Sequence, residues 1–181
     1  MPGAYIFLAE GFEETEAVTT ADILRRAGVD AKLVSITGSL PVKSRDGVTV
    51  TADLLFENIG KADALIVPGG PVLDGYRGHP SLAVIIKRHY ESGGLVAAIC
   101  AAPVFLAELG LLKGKTAVCY PTMENELVKG GAVIGGGPVA EDGNIITSRG
   151  PGTTPLFALA AAARLAGKEA ADKVRQAFLA G

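Results

Sequence analysis

The chain is expected to fold as an α/β protein, a mostly parallel sheet covered by helices on both faces. Three observations lead there. Apolar runs of strand length recur at residues 4–9, 31–36, 64–67 and 95–99. Segments with helical spacing lie between them. The runs at 64–67 and 95–99 are apolar throughout, as strands are when both of their faces are buried.

Each element has its own warrant. Residues 4–9 form the first strand. A helix follows over about 14–27, where Ala17, Ala21, Leu24 and Gly28 keep helical spacing. Arg25 and Arg26 suit its C-terminal dipole, and Gly28 suits its stop. Residues 31–36 form the second strand. The alternating Val48-Thr49-Val50-Thr51 reads as a half-exposed strand of a small peripheral hairpin. The strand at 64–67 runs into Pro68-Gly69-Gly70. Pro80 opens a helix to Tyr90, broken at Gly93-Gly94. Residues 95–99 form a strand and 101–109 a helix. Further strands are expected at 116–118 and 145–147. Thr153 or Thr154 with Pro155 marks the cap and first turn of a helix through 166. That helix is apolar nearly all round, so it should be buried against the sheet or against another subunit. Ala170, Val174, Ala177 and Phe178 mark a last amphipathic helix. No linker, repeat or low-complexity stretch interrupts the chain, and residues 1–181 read as one domain.

Composition narrows the function. The 181 residues are 49% hydrophobic and 20% charged, which suits a globular core. A net charge of -2 gives no electrostatic case for a nucleic-acid or anionic-membrane partner. The first apolar run is too short to span a bilayer or serve as a signal-peptide core, and no basic residue precedes it. Cys100 and Cys119 are too far apart for a C-x-x-C motif and suit a reducing cytoplasm. Two cysteines and two histidines without ligand spacing predict no metal site. Gly135-Gly136-Gly137-Pro138 is not a G-x-G-x-x-G fingerprint and no Walker A sequence occurs, so no cofactor is expected.

Cys100 sits where the apolar run 95–99 meets a helical segment, the arrangement of a nucleophile elbow. Such a corner needs small residues two before and two after the nucleophile. Here they are Ala98 and Ala102. The corner would present the sulfur at the carboxyl end of a strand, near helix N–H groups that favour thiolate. A buried structural cysteine fits the local pattern equally well. What shifts the balance is position. In open α/β sheets, ligands bind outside the carboxyl ends of the strands. The first strand ends at Glu10-Gly11-Phe12-Glu13-Glu14-Thr15-Glu16, the run 64–67 ends at Pro68-Gly69-Gly70, and the run 95–99 ends at Cys100.

Roles follow from residue type. Gly69, Gly70 and Ala101 offer backbone N–H groups to a developing oxyanion, although a Pro-Gly-Gly turn alone is usually only a turn. Acidic residues in a helix's first turn are common, so at most one of Glu13, Glu14 and Glu16 should face the sulfur. A buried glutamate there would have a raised pKa and could shuttle a proton. His79 and His89 read as surface residues, so a carboxylate is the better candidate base than an imidazole. The segment Ser148 to Thr153 joins a strand to a helix and reads as a structural turn, with anion binding the alternative.

Four segments together resemble one family: residues 8–16, Val67-Pro68-Gly69-Gly70, Ala97 to Pro103, and Thr147 to Thr153. The chain is similar to the DJ-one/ThiJ/PfpI superfamily, nearest its DJ-one branch, over essentially its whole length. The resemblance implies a flavodoxin-like three-layer sandwich, a nucleophile elbow and a homodimer. It implies that Cys100 is the reactive, oxidation-prone cysteine and Glu16 the general acid/base beside it. Gly69, Gly70 and Ala101 match backbone donors. Arg26 and Arg45 match arginines near the dimer-facing rim, and Tyr120, Pro121 and Arg149 are expected around the pocket. The implied activity is a cofactor-independent glyoxalase or protein deglycase acting on 2-oxoaldehydes such as methylglyoxal, or on early glycation adducts. The alternative is a redox-sensing cysteine protein or chaperone whose exposed, low-pKa thiol protects against oxidative stress. Two departures matter. Ala101 stands where peptidases of the superfamily carry histidine, so peptidase activity is not expected. Tyr120 stands where many DJ-one members carry histidine, and a phenol with a pKa of about 10 is a poor base near neutrality.

Overall fold

The computed structural model describes residues 1–180. The chain runs β1 (Gly3–Leu8), α1 (Glu14–Arg26), β2 (Asp30–Ser35), β3 (Pro41–Lys43), β4 (Thr49–Thr51), β5 (Leu54–Leu55), β6 (Ala64–Val67), α2 (Leu73–Arg77), α3 (Pro80–Glu91), β7 (Leu95–Ile99), α4 (Ala102–Glu108), β8 (Thr116–Ala117), α5 (Glu124–Lys129), β9 (Val133–Ile134), β10 (Val139–Asp142), β11 (Ile145–Ser148), α6 (Thr154–Ala166) and α7 (Lys168–Phe178). Seven strands form the central sheet in the order β10-β11-β7-β6-β1-β2-β5. All neighbours are parallel except β10 and β11, which pair antiparallel at one edge. The expected mostly parallel sheet with helices on both faces is the fold observed.

Burial explains the strand sequences. Every residue of β6 and of β7 is buried. They lie at the middle of the sheet, where helices cover both faces and no polar alternation is tolerated. Helices α1, α6 and α7 pack with one another, and α2, α3 and α4 form a second group. Helix α6 buries Phe157, Ala158, Leu159, Ala161 and Ala162, which accounts for its apolar sequence. The hairpin expected around 48–51 is β3 paired antiparallel with β4.

Three expectations change. The strand at 116–118 does not join the central sheet. It is the two-residue β8, parallel to β9 in a separate small sheet, with the Thr116 N–H taken by the Asp142 carboxylate. Thr153 does not cap α6 with its side chain. Its hydroxyl turns back into the preceding loop, meeting the Gly150 carbonyl at 2.8 Å and the Ser148 hydroxyl at 2.6 Å. The histidines are not free surface groups. The His79 ring accepts from the Leu82 N–H at the start of α3, and His89 Nε2 lies 3.1 Å from the Leu95 carbonyl.

The order of the strands places the site. From β1 the chain moves to β2 on one side and later returns through β6 on the other. The gap between the carboxyl ends of β1 and β6 is therefore a topological switch point, the usual crevice of such sheets. β7 pairs with β6, so the ends of β1, β6 and β7 are adjacent.

Candidate active site

Cys100 occupies the corner between β7 and α4 with a left-handed backbone, φ 64°. A non-glycine residue there is strained, at a cost of roughly 1–3 kcal/mol, and persists only where its surroundings fix it. Two hydrogen bonds do so. The Cys100 N–H donates to the Ser148 carbonyl at 2.9 Å, and its carbonyl accepts from the Tyr120 N–H at 2.8 Å. Ala98 and Ala102 are both fully buried, so the small residues at the elbow are in place.

Glu16 lies in the first turn of α1 and is completely buried. Its Oε2 accepts from the Gly69 N–H at 2.6 Å. Its Oε1 is buried with no hydrogen-bond partner. Cys100 is its neighbour across Gly69, and the thiol and the carboxyl influence each other's ionisation. Of the three acidic residues, only Glu16 faces the sulfur. Glu13 instead caps α1, accepting the Glu16 N–H at 2.6 Å.

Gly69 has no room for a side chain. A Cβ there would come within 2.6 Å of the Cys100 Cβ and 2.9 Å of Glu16 Oε2. Gly70 has φ 104°, and a Cβ would meet the Gly11 carbonyl oxygen at 2.6 Å. The expected set of backbone donors therefore divides. The Gly70 and Ala101 N–H groups lie near the sulfur and favour its charged form. The Gly69 N–H is committed to Glu16, so it supports the acid and not an oxyanion.

The electrostatics follow from burial. Desolvation pushes Glu16 from 4.5 up to about 7, with the Gly69 N–H and, more weakly, Arg45 opposing the shift. Burial, followed by the Glu16 charge, pushes the Cys100 thiol up to about 12, against the pull of the Gly70 and Ala101 N–H groups. The expectation of an exposed thiol of low pKa is thus corrected: the residue is only 7% exposed, and the corner turns its sulfur onto an acidic neighbour. The two groups are coupled, and Glu16 is the one that loses its proton first.

The other expected site residues divide by place. Arg45 belongs to the β3–β4 hairpin and is tied to the site through its N–H, which donates to the Phe12 carbonyl at 3.0 Å. Tyr120 follows directly from its bond to Cys100. It is 45% exposed, and a side chain at Gly150 would come within 3.5 Å of its ring. Pro121 opens the turn that leads to Glu124, and Glu124 pairs with Arg149 at 2.8 Å. Arg26 is not brought to the sulfur by its own chain. It lies ten residues beyond Glu16 on α1, roughly 15 Å along the helix, bound to Asp22 and near the Phe178 ring. Cys119 is fully buried, and its thiol donates to the Tyr120 carbonyl. Neither histidine is among the groups acting on Cys100 or Glu16.

Tyr76 is the residue that sequence reasoning missed. It is fully buried on α2, and its hydroxyl donates to the Pro68 carbonyl at 2.7 Å. The one available signal was the i, i+4 pair Val72 and Tyr76, both buried.

A family model described as DJ-1/PfpI matches residues 3–164. The chain belongs to this family. It is 41% identical over 179 residues to protein dj-1beta of Drosophila melanogaster, covering 97% of this chain and 96% of that one. The crystal structure of Drosophila melanogaster DJ-1beta superposes with a TM-score of 0.95 at 37% identity, covering 99% and 98% of the two chains. A glutathione-independent glyoxalase of Caenorhabditis elegans is 32% identical over 162 residues, covering 88% of this chain and 86% of the other. A deglycase of Pyrococcus abyssi is 30% identical over 149 residues, covering 81% and 89%.

The raised pKa of Glu16 makes stability depend on pH. Between pH 4.5 and about 7 the folded protein keeps a proton that the unfolded chain has released, so stability falls as pH rises through that window. Above it, the loss amounts to roughly 3 kcal/mol. Glu16→Gln removes the titration. Its thermal midpoint is expected to gain on the native protein from pH 4.5 to about 8. Melting curves in which the gap stays constant would show that the carboxyl is not the buried titrating group.

Proposed function

We propose that the protein is a cysteine-dependent, cofactor-independent glyoxalase and deglycase acting on 2-oxoaldehydes such as methylglyoxal or on early glycation adducts. The observation that carries this reading is the pairing at the elbow. A buried carboxyl lies beside Cys100, the two flanking Gly69 so closely that no side chain fits between them, and the Gly70 and Ala101 N–H groups favour charge on the same sulfur. The glyoxalase and the deglycase among its relatives support the reaction class.

The chemistry balances without a cofactor. Sulfur attacks the aldehyde carbon, and its proton passes through Glu16 to the new oxyanion, giving a hemithioacetal. The Gly70 and Ala101 N–H groups steady that oxygen as it forms. Glu16 then takes the hydrogen from the former aldehyde carbon, and the electron pair moves toward the neighbouring ketone as an enediol. Return of the proton to the second carbon leaves that carbon reduced and the first oxidised to a thioester. Water cleaves the thioester, releasing a 2-hydroxy acid and the free thiol. An acid that titrates near neutrality suits both proton transfers. Tyr120 at the rim donates hydrogen bonds but is no base. Arg45, whose charge acts on Glu16, supplies positive charge for an anionic or carbonyl-rich substrate, while Arg149 is held by Glu124.

Conversion of methylglyoxal to lactate is the direct test. The native protein is expected to turn over, and Cys100→Ser to lose at least 100-fold in rate. Equal rates in the two would end this mechanism.

A second reading rests on the same pair. Glu16 in its protonated form can donate to oxygen on an oxidised sulfur, which favours arrest at sulfenic or sulfinic acid. On this reading the protein senses or buffers oxidative stress and serves as a chaperone. After mild peroxide treatment, mass spectrometry should find added oxygen on Cys100 and none on Cys119, which is completely buried and has no acidic neighbour in the role of Glu16. Oxygen on Cys119 instead would count against it.

The expected cytoplasmic homodimer belongs to this proposal. Val18 on α1, and Leu40 and Val48 flanking the hairpin that carries Arg45, are apolar and 40–51% exposed. A second copy packed on such residues would bury that apolar surface. No helix among the described residues is long and apolar enough to cross a membrane. Sedimentation equilibrium is expected to give twice the 18.5 kDa chain mass. The mass of one chain at micromolar concentration would remove the dimer.

A further inference from the structure

We propose that Tyr76 is a positioning residue: acting through the Pro68–Gly69 peptide, it holds the Gly69 N–H on Glu16 and sets how readily that carboxyl yields its proton. The two ends of one peptide unit carry the argument. Tyr76 Oη donates to the Pro68 carbonyl at 2.7 Å. The N–H of the same unit, on Gly69, donates to Glu16 Oε2 at 2.6 Å. A carbonyl that accepts a hydrogen bond polarises its own amide, so the N–H at the other end becomes a stronger donor. The relay runs from phenol to peptide to carboxylate.

The phenol is built for this task. Tyr76 is fully buried and stays neutral, since desolvation and then the Glu16 charge raise its pKa well above the ordinary value. It therefore remains a donor over the whole range in which Glu16 titrates. Its ring stacks on Phe105 of α4, with centroids 5.8 Å apart. Helix α4 follows Cys100 directly, so one side chain braces both the turn that holds the acid and the helix behind the nucleophile. A second carbonyl, that of Phe7, lies 3.4 Å from the hydroxyl, too far to compete for its single proton. The other titratable groups facing Glu16 are Glu13 at the start of its own helix, Cys100 on the elbow and Arg45 on the hairpin. None of them touches the Pro68 carbonyl, so Tyr76 acts on Glu16 by a separate route.

The inference rests on the proton-sharing pair proposed above, and the experiment separates the two. Alkylation of Cys100 by iodoacetamide is followed by intact-mass spectrometry as a function of pH in the native protein, Tyr76→Phe and Phe105→Leu. Tyr76→Phe keeps the ring and removes the donor. The Gly69 N–H then stabilises carboxylate less, and the midpoint of the alkylation profile is expected to rise by roughly half a pH unit. Phe105→Leu loosens the same packing but keeps the hydroxyl, so its midpoint should stay with the native one. Melting curves at each pH confine the comparison to folded protein. A native profile with no midpoint near neutrality would sink the pair itself. A native midpoint that Tyr76→Phe leaves in place, or that Phe105→Leu moves equally, would sink the role of Tyr76 and leave the pair standing.

Discussion

Both backbone groups of Gly69 are spent on the turn that opens α1, and the site depends on this. Its carbonyl accepts the Glu13 N–H at 2.9 Å, and its N–H donates to Glu16 Oε2. Glu13 in turn accepts the Glu16 N–H. The carboxyl ends of β1 and β6 are thereby locked together, with one carboxylate fixed at the seam. A side chain at residue 69 would strike both Cys100 and Glu16, so the glycine is what lets acid, turn and nucleophile share one space. Charge-assisted bonds of this kind are the strong ones. Here the bond also partly offsets the cost of burying the Glu16 charge.

The strain at Cys100 is held by the same logic of paired backbone groups. At this left-handed strand end the N–H makes one more bond of the β7–β11 ladder, to the Ser148 carbonyl, and the carbonyl is taken by the Tyr120 N–H from another part of the chain. The residues from Thr147 to Thr153 thus serve the site by fixing a corner. Thr153 ties that loop to itself through Gly150 and Ser148, and leaves α6 without a side-chain cap. Local stability at the start of the helix is given up for the shape of the loop that holds the nucleophile's backbone.

Much of this was legible in residue pattern. The fully buried strands β6 and β7 announce themselves as unbroken apolar runs, and the elbow by Ala98, Cys100 and Ala102. The choice of Glu16 over Glu13 and Glu14 came from the family resemblance, since helical spacing alone leaves all three within the first turn. The short elements were not legible. Helix α2 has five residues, one of them Gly75, too few to show a period. Strands β5, β8 and β9 have two residues each and owe their form to neighbours rather than to their own sequence. The division of labour between Gly69 and Gly70 was hidden for the same reason. Two adjacent glycines look alike in sequence, and only the packing of α1 against the turn directs the Gly69 N–H, and not that of Gly70, to the acid.

The burial of the thiol changes how reactivity has to arise. A thiolate poised in advance would need the sulfur's charge to be the cheaper one to bury, and beside an ionised Glu16 it is not. What the geometry offers is a single negative charge that can sit on either group. Before a carbonyl arrives, the charge rests on the carboxylate, where the Gly69 N–H meets it. On the proposed mechanism the proton crosses to Glu16 as the sulfur begins to bond to carbon, and the charge moves onto the substrate oxygen. The total charge at the site is then unchanged. That spares each step the desolvation that a new ion would bring, and it explains why an acid titrating near neutrality and a thiol of ordinary or high pKa can serve as a reactive pair.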